Sequence, residues 1–165
     1  MNNRTHMNLQ HSIKVGLSFG LTSGVITTLG LMVGLYSGTQ SERAVIAGIL
    51  TIAIADSMSD ALGIHMVEES EGIHTPLEIW TSTLTTFFIK LIITSSFLIP
   101  FLLFSIKTSI SVSIIYGTTL LTGYSFYLAK KQKQNPIMII GEHLLITLVV
   151  IFSGYFVGTW IKNHF

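Results

Sequence analysis

The chain has 165 residues, of which 49% are hydrophobic and only 10% are charged, whereas about 25% of the residues in a soluble domain are charged. This composition indicates an all-α integral membrane protein with a single domain. The formal net charge of +1, with no extended basic patch, argues against a nucleic-acid partner. The absence of cysteine excludes disulfides, thiolate metal sites and covalent thiol chemistry.

Hydrophobic segments along the chain predict five membrane-spanning helices. The polar residues 1–11 are too short and too polar for a cleaved signal peptide, so we expect the first helix to be retained. Five crossings would place the two termini on opposite sides of the membrane. The predicted helices cover residues 12–36, 44–66, 77–104, 108–128 and 137–161.

The first predicted helix carries a stripe of small residues along one face. Such a stripe allows another backbone to approach closely and is common between membrane helices. The partner is either another helix of the same chain or a second copy of this helix, and we predict a homodimer interface here. The glycines of the stripe are Gly16, Gly20, Gly24, Gly30 and Gly34.

The second predicted helix carries two carboxylates, Asp56 and Asp60. A central Asp costs roughly 3 kcal/mol on insertion, whereas each Leu, Ile or Val contributes about −0.5 kcal/mol. The eight Leu, Ile and Val residues between 44 and 66 therefore contribute about −4 kcal/mol against a cost of about 6 kcal/mol, and the helix needs partners inside a bundle. A spacing of four places both carboxylates on one face, and such a pair within a membrane is a candidate functional site.

The third predicted helix carries Lys90 near its middle, on the same face as Thr83, Thr86 and Thr94. We expect this polar face to point inward. Lys90 is either a structural counter-ion for an aspartate of the second helix, or a barrier that replaces the cation when a transport site is empty. Pro100 should kink the helix near its end.

The connection after the second helix is acidic. Glu68, Glu69 and Glu71 could collect a divalent metal at the mouth of a transport path, together with His65 and His74. The alternative is an ordinary solvated loop, since no fixed ligand motif is present.

Glu142, in the first turns of the fifth predicted helix, has two interpretations. It is either part of the path or a helix-start charge favoured by the helix dipole. The candidate path consists of Asp56, Asp60, Ser23, Lys90 and Glu142. The candidate metal ligands are Asp60, Asp56, Glu68, Glu69 and Glu71.

Basic residues favour one orientation in the membrane, because cytoplasmic loops are enriched in Lys and Arg. Five of them fall on the N-terminal side and three on the other. This bias predicts a multi-pass protein of the plasma (inner) membrane with a cytoplasmic N-terminus and an outside C-terminus. The first set is Arg4, Lys14, Lys130, Lys131 and Lys133, and the second is Arg43, Lys107 and Lys162.

Several stretches resemble one known family. FGLTSGVITT at residues 19–28 is similar to the first helix of the vacuolar iron transporter (VIT/Ccc1-like) family, whose pattern is roughly FGxxDGLxST. SDALG at residues 59–63 resembles that family's SMALGEY, and residues 123–129, 135–136, 141–142 and 154–158 are also similar. The resemblance covers all five predicted spans and implies cation transport.

This chain departs from the family where the family's chemistry lies. Ser23 stands at the position of the family's first-helix Asp, Asp60 at that of its second-helix Met, and Ile64 at that of its Glu. Those three functional side chains do not carry over. A short acidic connection also replaces the helical metal-binding domain that the plant and fungal-type members usually place between helices two and three.

The sequence therefore predicts a dimeric transporter that moves a divalent cation such as Fe²⁺ or Mn²⁺ out of the cytoplasm, with proton exchange as one possible coupling. It predicts no tightly bound cofactor; the metal is cargo. The alternative is a non-transporting scaffold or accessory subunit with a buried Asp-Lys network. An enzyme is not expected, because Asp56 and Asp60 share one helix, unlike the pair of an intramembrane aspartyl protease, and Ser23 lacks a deeply placed histidine.

Overall fold

The computed structural model describes the backbone of residues 2–165 and the side chains of residues 9–165. Arg4, used above for orientation, lies outside the described side chains. The described backbone is helical and contains no strand, which confirms the predicted all-α class. The six helices are α1 (Asn2–Thr39), α2 (Glu42–Ser70), α3 (Pro76–Ser96), α4 (Leu98–Leu103), α5 (Ile106–Gln132) and α6 (Pro136–His164).

Four helical segments of the described chain are long and apolar enough to cross a membrane, one fewer than the predicted five. They are Leu9–Thr39, Glu42–Ser70, Pro76–Leu103 and Pro136–His164. The remaining predicted span, the fourth, corresponds to α5, which is long enough with 27 residues but is rich in serine and threonine. Its buried face repeats small residues every four or eight positions, at Ser109, Ser113, Gly117 and Ser125.

The starts of α3 and α6 follow from short local motifs. Thr75 and Glu78 form a capping box, in which the Glu78 carboxylate accepts the Thr75 backbone N–H at 2.7 Å and the Thr75 hydroxyl accepts the Glu78 N–H at 3.4 Å. Asn135 caps α6 by accepting the Ile137 N–H at 3.0 Å. Pro76 and Pro136 occupy the first helical positions, where the missing N–H costs nothing.

The predicted kink near Pro100 is a break between α3 and α4 at Phe97. Pro100 has no N–H to offer the carbonyl four residues earlier, so the helix cannot continue regularly through this turn. The Pro100 carbonyl accepts a hydrogen bond from the Ser109 hydroxyl at 2.9 Å, which ties α4 to α5.

Contacts divide the chain into two compact units, each described here separately. The first unit comprises Met1–Gly24 and Thr51–Ser95. In it, glycines of α1 face α3 closely: a Cβ atom built on Gly16 would lie 2.6 Å from Thr85 Cβ, and one on Gly20 would lie 2.9 Å from the Thr86 carbonyl oxygen. The glycines therefore allow two backbones of the same chain to touch.

The second unit comprises Val25–Leu50 and Ser96–Phe165. Here α1 and α6 run parallel, because Gly34 contacts Gly154 and Gly38 contacts Gly158 in the same order along both helices. α5 packs antiparallel beside α6. Near the end of α5, Ser125 bonds His143 in the early part of α6 at 2.7 Å.

The prediction that the α1 glycine stripe joins two copies of the chain is not supported by these contacts. Gly16, Gly20 and Gly24 face α3, while Gly30 and Gly34 face α6. A periodic stripe identifies a face that another backbone approaches, and within this chain that backbone is a neighbouring helix. A homodimer would need another surface.

Candidate functional site

The first unit buries a lysine among threonines. Lys90 has no exposed surface, and Thr83, Thr86 and Thr94 on the same face of α3 are also buried. This confirms the inward orientation predicted from their spacing. Because burial of an unpaired ammonium is very costly, Lys90 requires oxygen partners inside the unit.

Both aspartates of α2 supply those partners. The Lys90 Nζ atom lies 2.5 Å from Asp56 Oδ2 and also forms an ion pair with Asp60 Oδ2. The two carboxylates reach the same ammonium because residues four apart project from the same side of a helix. The predicted ion pair between the second and third helices is confirmed, and one lysine bridges both carboxylates.

Ser23 of α1 completes the cluster. Its hydroxyl donates to Asp60 Oδ2 at 2.6 Å and accepts from Lys90 Nζ at 2.9 Å. An ammonium has three N–H donors, and Lys90 has three oxygen partners on two other helices. We call Ser23, Asp56, Asp60 and Lys90 the Asp-Lys cluster.

The carboxylates of this cluster are less buried than the lysine that joins them. The side chain of Asp56 is 31% exposed and that of Asp60 is 20% exposed, against 0% for Lys90. Two carboxylates and one ammonium leave one formal negative charge. The arrangement can therefore attract a cation from the carboxylate side, but Lys90 occupies the position between the two Oδ2 atoms.

The acidic residues in the last turn of α2 and just after it form a separate arrangement around His74, so Glu68 and Glu69 belong to the helix and not to the predicted connection. His74 Nε2 lies 3.0 Å from Glu71 Oε2 and 3.5 Å from Glu68 Oε2, and its ring stacks on that of His11. Glu68 is buried, whereas Glu69 is exposed. The segment thus differs from a fully solvated loop, because Glu68 is held against His74.

The structure does not unite the five predicted metal ligands. Among the residues with described side chains, no group of three or more His, Asp or Glu is arranged to hold a metal ion. Asp60 and Glu68 are eight residues apart on α2, about 12 Å along the helix. Asp56 and Asp60 remain together, and the three glutamates belong to the segment beyond them.

Glu142 belongs to the second unit and is exposed on α6, whereas the residues of the Asp-Lys cluster belong to the first. The neighbouring His143 contacts Ser125 of α5. The Ser125 hydroxyl oxygen lies 2.7 Å from His143 Nδ1 and 2.6 Å from the Leu121 carbonyl oxygen.

Two polar contacts of the first unit were missed by the sequence analysis. The Thr83 hydroxyl oxygen lies 3.0 Å from His65 Nδ1, which links α2 to α3, and 2.6 Å from the Ile79 carbonyl oxygen. Glu78 is buried at the start of α3. Its Thr-Pro-Leu-Glu context is a recognisable capping box that could have identified it, whereas the His65 contact depends on how two helices align.

Comparison of the chain with protein-family models, with curated proteins and with solved structures finds no match in any of the three.

Proposed function

We propose that this protein is a membrane transporter that moves a divalent cation such as Fe²⁺ or Mn²⁺ out of the cytoplasm. The observation that carries the proposal is the Asp-Lys cluster, in which two membrane-segment carboxylates bracket a single buried ammonium. The lysine holds the carboxylates together when no cation is bound. The cation displaces the lysine and takes its position.

The oxygen chemistry of the cluster fits such an ion. Two carboxylates and the Ser23 hydroxyl, completed by water, are ligands that suit Mn²⁺ or Fe²⁺ better than Cu⁺. The flexible four-carbon stem of Lys90 allows its ammonium to withdraw. Protonation of a carboxylate on release of the metal would couple transport to protons.

Partial exposure of the carboxylates supports a hydrated path. Lipid tails cannot solvate a carboxylate, since a central Asp costs roughly 3 kcal/mol on insertion. The exposed fractions of Asp56 and Asp60 therefore require water or another polar group beside them. Water next to a charged pair within a membrane segment is what an ion path needs.

The resemblance to vacuolar iron transporters supports the same class, although the family's own Asp, Met and Glu are replaced. We also propose that the protein forms a homodimer in the plasma membrane. Its interface would lie outside the glycine face of α1, which other helices of the chain occupy.

We also propose five membrane crossings. α5 is one of them, although its serine and threonine content lowers its mean hydropathy. The parallel alignment of α1 and α6 supports this number, because the chain must cross an odd number of times to reach α6 in the same direction as α1. α5 has neighbours that cover its serine face, so it need not be apolar on all sides.

Reporter insertions test the topology. A reporter after Lys133 should be cytoplasmic, and reporters after Ser105 and after Phe165 should be outside. Ser105 and Lys133 flank α5, so this pair measures whether that helix crosses. Reporters at Ser105 and Lys133 that both lie on one side would reduce the crossings to four.

Transport is tested in liposomes that contain a metal-sensitive dye, with and without a pH gradient. The wild type should move Mn²⁺ or Fe²⁺, and Asp60→Asn should lower the rate to that of empty liposomes, because it removes a charge from the cluster and keeps its shape. The variant should remain folded, since Asp56 still pairs with Lys90.

Glu42→Gln is the matched control, because it also changes an acid to its amide on α2 but at the exposed first turn. It should transport as the wild type does. Equal rates for Asp60→Asn and the wild type would place the ion path elsewhere.

A specific observation also favours a second candidate, a non-transporting scaffold. All three donors of Lys90 are satisfied by Asp56, Asp60 and Ser23, as expected for a structural network. The scaffold predicts no metal movement by the wild type in either direction across the liposome membrane, together with a strong loss of folding when Lys90 is replaced.

A further inference from the structure

The second unit contains a cavity of about 530 Å³ whose lining comes from α1, α5 and α6. Its volume falls within the range of about 300–1,000 Å³ that is typical of ligand pockets. We call it the three-helix cavity. None of its lining residues belongs to the Asp-Lys cluster.

The body of the three-helix cavity is apolar. Ile110 and Ile114 of α5 face Ile151 and Phe152 of α6, with Val33 of α1 completing this part of the lining. Along α6 the whole lining, body and mouth together, extends from Ile151 to Asn163, about 18 Å at 1.5 Å per residue. An apolar space of this kind holds hydrocarbon more readily than water, and lipid chains are the hydrocarbon that surrounds a membrane helix.

The mouth of the three-helix cavity is polar and lies at one end. α1 and α6 both finish there and α5 begins near it, so the late residues of two helices meet the first turns of the third. The polar groups at this end can all donate hydrogen bonds. They are Tyr36, Gln40, Thr159, Lys162 and Asn163.

The charge at the mouth is positive. Lys162 is the charged residue of the described lining, and no Asp or Glu is part of that lining. Gln40 is held beside Tyr36 by a hydrogen bond from its side-chain amide to the Tyr36 carbonyl oxygen at 2.8 Å. An ammonium among neutral donors suits an anionic, oxygen-rich group.

We propose that the three-helix cavity binds an anionic phospholipid of the surrounding membrane. One acyl chain lies along Ile110, Ile114 and Phe152, and the phosphate group meets Lys162 at the mouth. The apolar body of the cavity explains why an acyl chain binds. The hydrogen-bond donors at the mouth explain why a negatively charged headgroup is preferred. The bound lipid then fills the space among α1, α5 and α6.

Native mass spectrometry of the full-length protein in detergent tests this site. The protein is titrated separately with phosphatidylglycerol and with phosphatidylcholine of the same acyl chains. The first phosphatidylglycerol should bind about fivefold more tightly than phosphatidylcholine, as expected for one lysine near an anionic lipid. Lys162→Gln should remove this preference and leave phosphatidylcholine binding unchanged.

Lys107→Gln is the matched control. Lys107 is also exposed and lies one helical turn before Ile110 on α5, but it is not part of the cavity lining. It should keep the fivefold preference, and Ile114→Trp should lower the binding of both lipids by filling the apolar body.

Three results would overturn the proposal. They are equal binding of the two lipids to the wild type, loss of the preference in Lys107→Gln as complete as in Lys162→Gln, and undiminished lipid binding by a folded Ile114→Trp variant. If Ile114→Trp does not fold, the comparison of the two lysine variants decides the matter, since both changes are on exposed side chains.

Discussion

Replacement of Lys90 by Met should destabilise the protein by about 3–5 kcal/mol, because it leaves two buried or half-buried carboxylates without their counter-ion. Asp56 and Asp60 both pair with this single ammonium, so they would then repel each other four residues apart on one helix. Folded yield and the unfolding midpoint in detergent measure the loss.

Charge removal should reverse this effect in steps. Asp60→Asn in the Lys90→Met background should recover part of the stability, and the further change Asp56→Asn should recover most of it. Lys14→Met serves as the control, because Lys14 belongs to the same unit and is exposed. If the triple variant is as unstable as Lys90→Met alone, the loss of the counter-ion is not the cause of the instability.

Substitution of Gly158 by Ala should lower the free energy of unfolding by about 1–3 kcal/mol, the usual cost of overpacking. The added Cβ would overlap the Gly34 carbonyl oxygen and would lie 3.0 Å from Gly38 N. Both neighbours are backbone atoms, which cannot turn aside as a side chain can. The α1–α6 contact would therefore have to open.

Substitution of Gly141 by Ala should instead raise the free energy of unfolding. Gly141 is also on α6, but a Cβ there meets nothing within 4 Å. Ala is favoured over Gly inside a helix by up to about 1 kcal/mol, so Gly141→Ala should stabilise the protein. If Gly158→Ala stabilises it by a similar amount, α1 and α6 do not pack as closely as described.

The sequence was informative wherever a local pattern decides the structure. Proline after Thr75 and Asn135 predicted two helix starts correctly, and the spacing of Asp56 and Asp60 predicted that they share one face. In these cases the relevant information lies within a few helical turns. The pairing of the two aspartates with Lys90 was predicted from their opposite charges. An isolated charge in an apolar helix also has few oppositely charged residues available to it, so its partner is easier to predict.

Sequence patterns were less informative about which helices meet. The α1 stripe shows that a backbone approaches, but it cannot distinguish α3 and α6 from a second copy of α1. The serines of the buried face of α5 lower its mean hydropathy, so the average does not reveal a helix that is long enough to cross a membrane. Glu68 is buried and lies 3.5 Å from His74, which reaches it only because the chain turns after α2.

The pairing of Gly34 with Gly154 and of Gly38 with Gly158 also joins residues that the ribosome synthesises at different times. The partners are 120 residues apart in the chain, and ribosomes add about 5–20 residues per second. The first helix must then wait roughly 6–24 s with half of its glycine face uncovered before its partner emerges. A ribosome that stops before α6 would release a chain in which α1 can pack against α3 but Gly30, Gly34 and Gly38 have no helix to contact.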